Sequence, residues 1–309
     1  MKAAILLFLP LLAYGQSGPS NPEYKRLTDE AFSQLTAGQC SPCLDNYQRA
    51  FAISKHSALS HLRAAVCAGA CNDSPARDTL VETAVSIAWD LCLEILDKPG
   101  AYPEIPRGGP FERQVRQTAR QWAIASGIRF DLMEELKTLR YLDQKYRLAL
   151  DSMRSEHPDK NSPEQKAFFA EWVRQDSANL VRVEAIIAQY GFPGKSMVGE
   201  RGASTVWLVL QHAPLEKQEQ YFPLLTEAAE KGELKKSDWA YLLDRINMHK
   251  GLPQVYGSQV VSDPKTGAWV FHPIEDEANV NVRRAAVGLS PLEEYAQMMG
   301  VDWKLPRKE

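Results

Sequence analysis

Beyond a short apolar run near its start, the sequence has no hydrophobic stretch approaching the roughly 20 residues that a bilayer-spanning helix needs. It has no concentration of basic residues either. Its 36 Lys and Arg face 39 Asp and Glu for a net charge of −3, and no segment is built to follow a phosphate backbone, so nucleic acid is not an expected partner. Glycine and proline are not abundant, at 18 and 19 of 309 residues, which leaves no room for a long flexible linker. Also missing are a Gly-x-Ser-x-Gly elbow, a His-Glu-x-x-His helix, a Walker loop and a Rossmann glycine pattern. His56, His61, His157, His249 and His272 show no metal-ligand spacing, so neither a metal nor a cofactor is expected. What remains, with 44% hydrophobic and 24% charged residues, is the composition of a globular chain of one to two domains.

Lys2, the apolar run Ala3 to Ala13, the small-x-small triplet Ala13-Tyr14-Gly15 and the polar stretch Gln16 to Ser20 together read as a secretory signal peptide over residues 1–15. Export to the periplasm or beyond is the expectation, with no stable membrane insertion after cleavage. That compartment changes how the five cysteines are read, because oxidising surroundings favour disulfides. Four of them form Cys40-x-x-Cys43 and Cys67-x-x-x-Cys71, amid helical apolar spacing at Leu44, Tyr47, Phe51, Leu62, Ala65 and Val66. If residues 43–53 and 57–70 are antiparallel helices turning near Lys55-His56, then 40 faces 71 and 43 faces 67. The spacing predicts disulfides Cys40–Cys71 and Cys43–Cys67, with Cys92 left over. A zinc-thiolate site and a Cys-Ser-Pro-Cys redox site are the alternatives for the same four residues.

From Tyr24 to Leu96, the chain also resembles tetratricopeptide-type helical hairpins, through Gly38, Tyr47-x-x-Ala50-Phe51, Ala76, Leu80 and Ala84. The resemblance covers at most two units, and the cysteines at the hairpin ends depart from that family. A proline- and glycine-rich break follows, from Pro99 to Pro110, and marks the expected boundary between hairpins at 22–97 and a second domain at 111–305. Leu132, Leu136, Leu139, Leu142, Tyr146, Leu150 and Met153 recur at steps of three and four, predicting one long amphipathic helix. Ser162-Pro163-Glu164-Gln165 is a capping box opening a second helix that ends at Gly191, and Ser290-Pro291-x-Glu293 reads as another. Between them come a buried helix at Ser204 to Gln211, helices at 214–232 and 237–251, and a β-hairpin near 254–272 around Asp263-Pro264-Lys265-Thr266-Gly267. The expected fold is mostly α: helical hairpins packed on a helical domain that carries one β-hairpin.

From about Leu139 to Tyr295 the residues Asp143-x-x-x-Arg147, Asp176-x-x-Asn179, Tyr190-Gly191-x-Pro193, Gly199, Gln211-His212-Ala213, Asp244-Arg245, Gln254-x-Tyr256-Gly257-x-Gln259 and Arg283-Arg284-x-x-x-Gly288 resemble a bacterial domain family of unknown function that is common in exported proteins. Ser258 stands where many of its relatives have threonine. The resemblance implies a bacterial exported protein but no activity.

Each polar group has a structural and a chemical reading. Asp143 and Arg147 lie four apart on one helix face, and Asp176 and Asn179 three apart; with Arg283 and Arg284 they are expected to form a structural polar network. His212 ends an all-apolar helix, where it either caps carbonyls or acts as a base. Asp244 is expected to be partly buried and paired, with Arg245 or with an arginine from Arg283-Arg284. Arg245, Gln254, Tyr256 and Gln259 are good hydrogen-bonding partners for a ligand and poor nucleophiles. The leading expectation is an exported domain that binds a polar small molecule or a partner protein in a groove. The alternative is a hydrolase of envelope or extracellular polymers, with His212 as base and Asp244 as its orienting acid.

Overall fold

The computed structural model describes residues 21–98 and 100–304. The expected signal peptide lies outside them. Among the described residues there are twelve α-helices, one short 3-10 turn and a single two-stranded antiparallel sheet, and no helix is long and apolar enough to cross a membrane. The chain divides into two compact units between Phe130 and Asp131.

The N-terminal unit consists of α1 (Pro22–Thr36), α2 (Cys40–Ile53), α3 (Ala58–Ala70), α4 (Ser74–Asp97) and α5 (Pro110–Ala125), each packed on the next in a chain of neighbours, with α4 between α3 and α5. Side chains cap the starts: Asn21 accepts from Glu23 and Tyr24 N–H, Ser57 from Ser60, and Asp73 from Ala76. Ala31, Cys43, Tyr47, Phe51, Ala64 and Cys67 form one core cluster, and His61 stacks on Phe51 at 3.9 Å between ring centroids. The two cysteine pairs sit at disulfide distance, Cys40 with Cys71 and Cys43 with Cys67, with Cα separations of 5.5 and 6.1 Å. Cys92 is free and buried, and burial pushes its thiol up to about 12.

The proline-rich segment is not the boundary that its composition implied. Arg107 donates to the carbonyls of Leu96 (3.0 Å) and Ile95 (2.7 Å), Arg63 pairs with Glu104, and Ile105 is buried, so the segment is tied to the end of α4. Helix α5, expected to open the second domain, belongs with the first four helices.

The C-terminal unit is built on α6 (Phe130–Glu156), α7 (Pro163–Tyr190), α8 (Lys195–His212), α9 (Leu215–Glu230) and α10 (Lys236–His249), followed by β1 (Val260–Ser262), β2 (Trp269–Phe271), α11 (Val280–Ala286) and α12 (Leu292–Met299). Its centre is α8: Val206, Trp207, Leu208, Val209 and Leu210 are all buried, because α7, α9 and α10 pack around it. The long helix predicted from the leucine spacing is α6. Ser162 caps α7 by accepting from Gln165 N–H, but the Gln165 amide turns to the His157 carbonyl instead of completing the box. The second expected box does not form. Asn281 accepts from Leu292 N–H and donates to Glu293, while the Ser290 carbonyl receives Arg284. The hairpin is shorter than expected, pairing only Val260–Ser262 with Trp269–Phe271.

Candidate functional site

Four helices of the C-terminal unit bring the polar motif residues together. Asp143 and Arg147 project from α6, Asp176 and Asn179 from α7, Gln211 and His212 from the end of α8, and Arg245 from α10. His212 Nδ1 lies 3.0 and 3.1 Å from the two Asp143 oxygens. A carboxylate only accepts, so Nδ1 carries the proton and Nε2 the lone pair. Asp143, 1% exposed, also receives Gln144 Nε2 at 2.7 Å and the Arg147 guanidinium at 3.5 Å. Burial alone would raise its carboxyl, but His212, Arg147 and Gln144 hold it below the usual range, so it is ionised. Burial lowers the imidazole of His212 against the opposing pull of Asp143, so the ring is neutral near pH 7. Arg147 uses its two terminal nitrogens on both oxygens of Asp176, at 3.0 and 2.9 Å, and lies over the Trp172 ring.

His212 thus neither caps α8 nor meets Asp244. Its expected capping task is performed by Gln218 of α9, whose amide donates to the Gln211 and Ala213 carbonyls at 2.9 Å each, and by Arg245 Nη1, 3.1 Å from Gln211 O. That leaves the imidazole free to turn to Asp143. Gln218, Gln144 and Trp172 were not foreseen; none sits in a pattern that marks it out.

Asp244 serves a different structure. Adjacent helix residues point about 100° apart: Arg245 faces α8, whereas Asp244 faces the loop 254–259. There it accepts N–H bonds from Val255 (2.7 Å), Tyr256 (3.0 Å) and Ser258 (3.0 Å), and among the described residues no arginine pairs with it. Burial pushes its carboxyl up, against these N–H groups. The loop's carbonyls go to the arginines that were expected to pair with Asp244: Arg283 Nε donates to Val255 O and Arg284 Nη1 to Tyr256 O. The loop is gripped by an acid on its N–H groups and by two arginines on its carbonyls. Gly257, at φ +67, makes the bend; a Cβ there would lie 3.0 Å from the Ile274 and Leu292 side chains.

Gln254 and Gln259, expected to face a ligand, are buried in this loop. Gln254 accepts from Gln259 N–H and donates to the carbonyls of Gln259 and His272, as a neighbouring strand would, and Gln259 Nε2 reaches Ser258 Oγ at 3.0 Å. Tyr256 is buried edge-on to Trp239. The Gln254 amide is thus committed to main chain, and the Gln259 amide nitrogen to Ser258 Oγ and the Tyr241 carbonyl.

A model of a family of unknown function, DUF6624, matches residues 130–307. The chain belongs to that family. The DUF6624 match spans the whole helical assembly around α8, including both the His212 cluster and the gripped loop. No curated protein and no solved structure is significantly similar to the chain.

Proposed function

We propose that the C-terminal unit binds a polar ligand beside His212 and Arg245, and that the protein works outside the cytoplasm. One observation carries the first part. Arg245 is 5% exposed, yet among the described residues neither its Nε nor its Nη2 meets an acceptor, and the side-chain amide nitrogen of the adjoining Gln211 is in the same condition. Buried donors are ordinarily satisfied, and an unpaired buried charge is costly, so a cluster of them is a reason to assign a ligand. The two cysteine pairs at disulfide distance support the second part, since such pairs persist in oxidising compartments. The N-terminal hairpins, with their resemblance to tetratricopeptide units, are proposed as a separate protein-interaction surface.

The hydrolase reading survives in altered form. His212 as base is now oriented by Asp143 instead of Asp244, because a carboxylate on Nδ1 leaves Nε2 to take a proton. Thermal melts with saccharides, short peptides, organic acids and amides test the binding reading. One class should raise the melting temperature of the wild type and not that of Arg245→Met, as a ligand that binds only the folded state does. If no class moves the wild-type transition, the binding reading is wrong. Turnover of any of these compounds that is lost in His212→Ala would favour the hydrolase.

A further inference from the structure

We propose that the group held by Arg245 is a carboxylate, taken side-on by its Nε–H and Nη2–H. This rests on the ligand-binding reading above and narrows it to a chemical class.

A guanidinium has three acceptor-facing edges, and the one formed by Nε–H and Nη2–H presents two parallel donors at the spacing of two carboxylate oxygens. In Arg245 the remaining edge nitrogen, Nη1, is fixed by its bond to the Gln211 carbonyl at 3.1 Å, which orients the guanidinium and leaves the two-donor edge. Elsewhere in this chain the same edge takes main-chain carbonyls, as in Arg107 and Arg283, or the two oxygens of a carboxylate, which alone also balances the charge. Arg26 places Nε and Nη2 on the two oxygens of Glu23, at 2.9 and 2.7 Å. Arg174 does so with Glu171, and Arg182 with Glu135. All three of these pairs are surface contacts, where water competes. Arg245 has the same edge at a site shielded from water, where a charge-assisted pair is strongest and where a neutral partner would leave the cation uncompensated.

Among the described residues, none of the acids around this cluster is left over to serve as the carboxylate. The two acids nearest in the network are engaged: Asp143 by His212, Gln144 and Arg147, and Asp176 by both terminal nitrogens of Arg147. Asp244, the adjacent residue, is held by three loop N–H groups. The carboxylate must therefore come from outside the chain, either as a small organic acid or as the terminus or side chain of a peptide. Gln211, whose carbonyl meets Arg245 Nη1 and whose amide nitrogen has no acceptor among the described residues, and His212 after it at the end of α8 offer a further donor and a neutral imidazole for the rest of the molecule.

Titration of the full chain with propionate, with its neutral isostere propionamide, and with a tripeptide bearing a free or an amidated C-terminus tests this, read by the side-chain Nε–H signals of 15N-labelled protein. Propionate should move one arginine signal saturably, and propionamide should not. The free-terminus tripeptide binding more tightly than propionate would identify a peptide source, and the reverse a small acid. Arg245→Lys, which keeps charge but loses the fork, should remove that signal and weaken propionate binding at least tenfold, whereas Arg182→Lys should leave binding unchanged. Saturable binding of propionamide with an affinity equal to that of propionate would overturn the carboxylate and keep the polar site. No saturable response to any of the probes by about 50 mM, far above the dissociation constant of even a weak specific site, would overturn both. The wild-type titrations decide these outcomes even if Arg245→Lys fails to fold.

Discussion

Replacing Asp244 by alanine should unfold the C-terminal unit at a markedly lower temperature, for a reason that has nothing to do with an ion pair. The carboxylate is fully buried and accepts from three main-chain N–H groups, two of them on buried residues, Tyr256 and Ser258, and one on the half-buried Val255. An orphaned buried donor costs about 1–3 kcal/mol. Two such donors, with partial hydration of the third, give a loss of about 3–5 kcal/mol. At roughly 2–4 °C per kcal/mol for a unit of this size, the transition should fall by about 6–20 °C. Asp244→Asn keeps one acceptor but turns an N–H toward another N–H, and should lose about half as much. Calorimetry is the suitable assay because the N-terminal unit supplies its own transition as an internal reference. Tyr256→Phe is the matched control: the loop is gripped through the tyrosine's main chain, so removing its hydroxyl should change stability by less than about 0.5 kcal/mol. An Asp244→Ala transition within about 2 °C of wild type would show that the loop finds other acceptors, and the account of its shape would fail.

Two buried groups should give pH dependences of opposite sign. His212 is lowered from 6.5 by burial, so as pH falls below about 6.5 the unfolded chain takes up its proton first and stability declines; His61 and His249 shift the same way, so the measurement is the difference between wild type and His212→Gln, which should narrow on the acid side. Asp238 is pushed up to about 6 by burial, against its bond from Ser204 and the charges of Lys235 and Arg140, with Glu200 acting the other way. The folded state therefore keeps a proton that the unfolded chain loses above 3.8, and stability should decline as pH rises from there to about 6, a slope that Asp238→Asn removes. Reducing the cysteine pairs, whose partners are 31 and 24 residues apart, should lower only the N-terminal transition, the first bond broken costing less than the second because the remaining bond still closes most of the same loop; full reduction should cost several kcal/mol, at about 3–4 kcal/mol for a single loop of that length. A calorimetric scan with and without reductant, in which the C-terminal transition shifted instead, would contradict this assignment.

Periodic features were legible in the sequence. The leucine spacing located α6, the apolar run located α8, and the symmetry of the cysteines about residue 55 anticipated which would lie together, because each follows from a local repeat or a single reflection. Features that depend on three-dimensional partners were not. His212 and Asp143 are 69 residues apart and linked by no repeat, so the nearer Asp244 looked like the better acid. Asp244 was assigned an arginine because side-chain charges show in a sequence, whereas three converging main-chain N–H groups do not. The Ser290 box failed for a similar reason: its letters were right, but Asn281 on a neighbouring helix occupied the N-terminus first. The proline-rich stretch had the composition of a linker, and it took Arg107, a single residue, to bind it down.

The gripped loop bears on transplantation. The six residues 254–259 look like a self-contained signature, yet little of their conformation is written in them beyond the bend at Gly257 and the internal bridge from Gln254. The rest is imposed by Asp244 on α10, by Arg283 and Arg284 on α11 and by the Tyr295 hydroxyl on α12, which donates to the Ser258 carbonyl. Moved alone into a foreign scaffold, the hexapeptide would arrive without the groups that shape it and relax to whatever its new neighbours favour. The smallest portable piece is therefore the whole stretch from α10 through α12, and a chimera that divides it would lose the loop while keeping every letter of the motif.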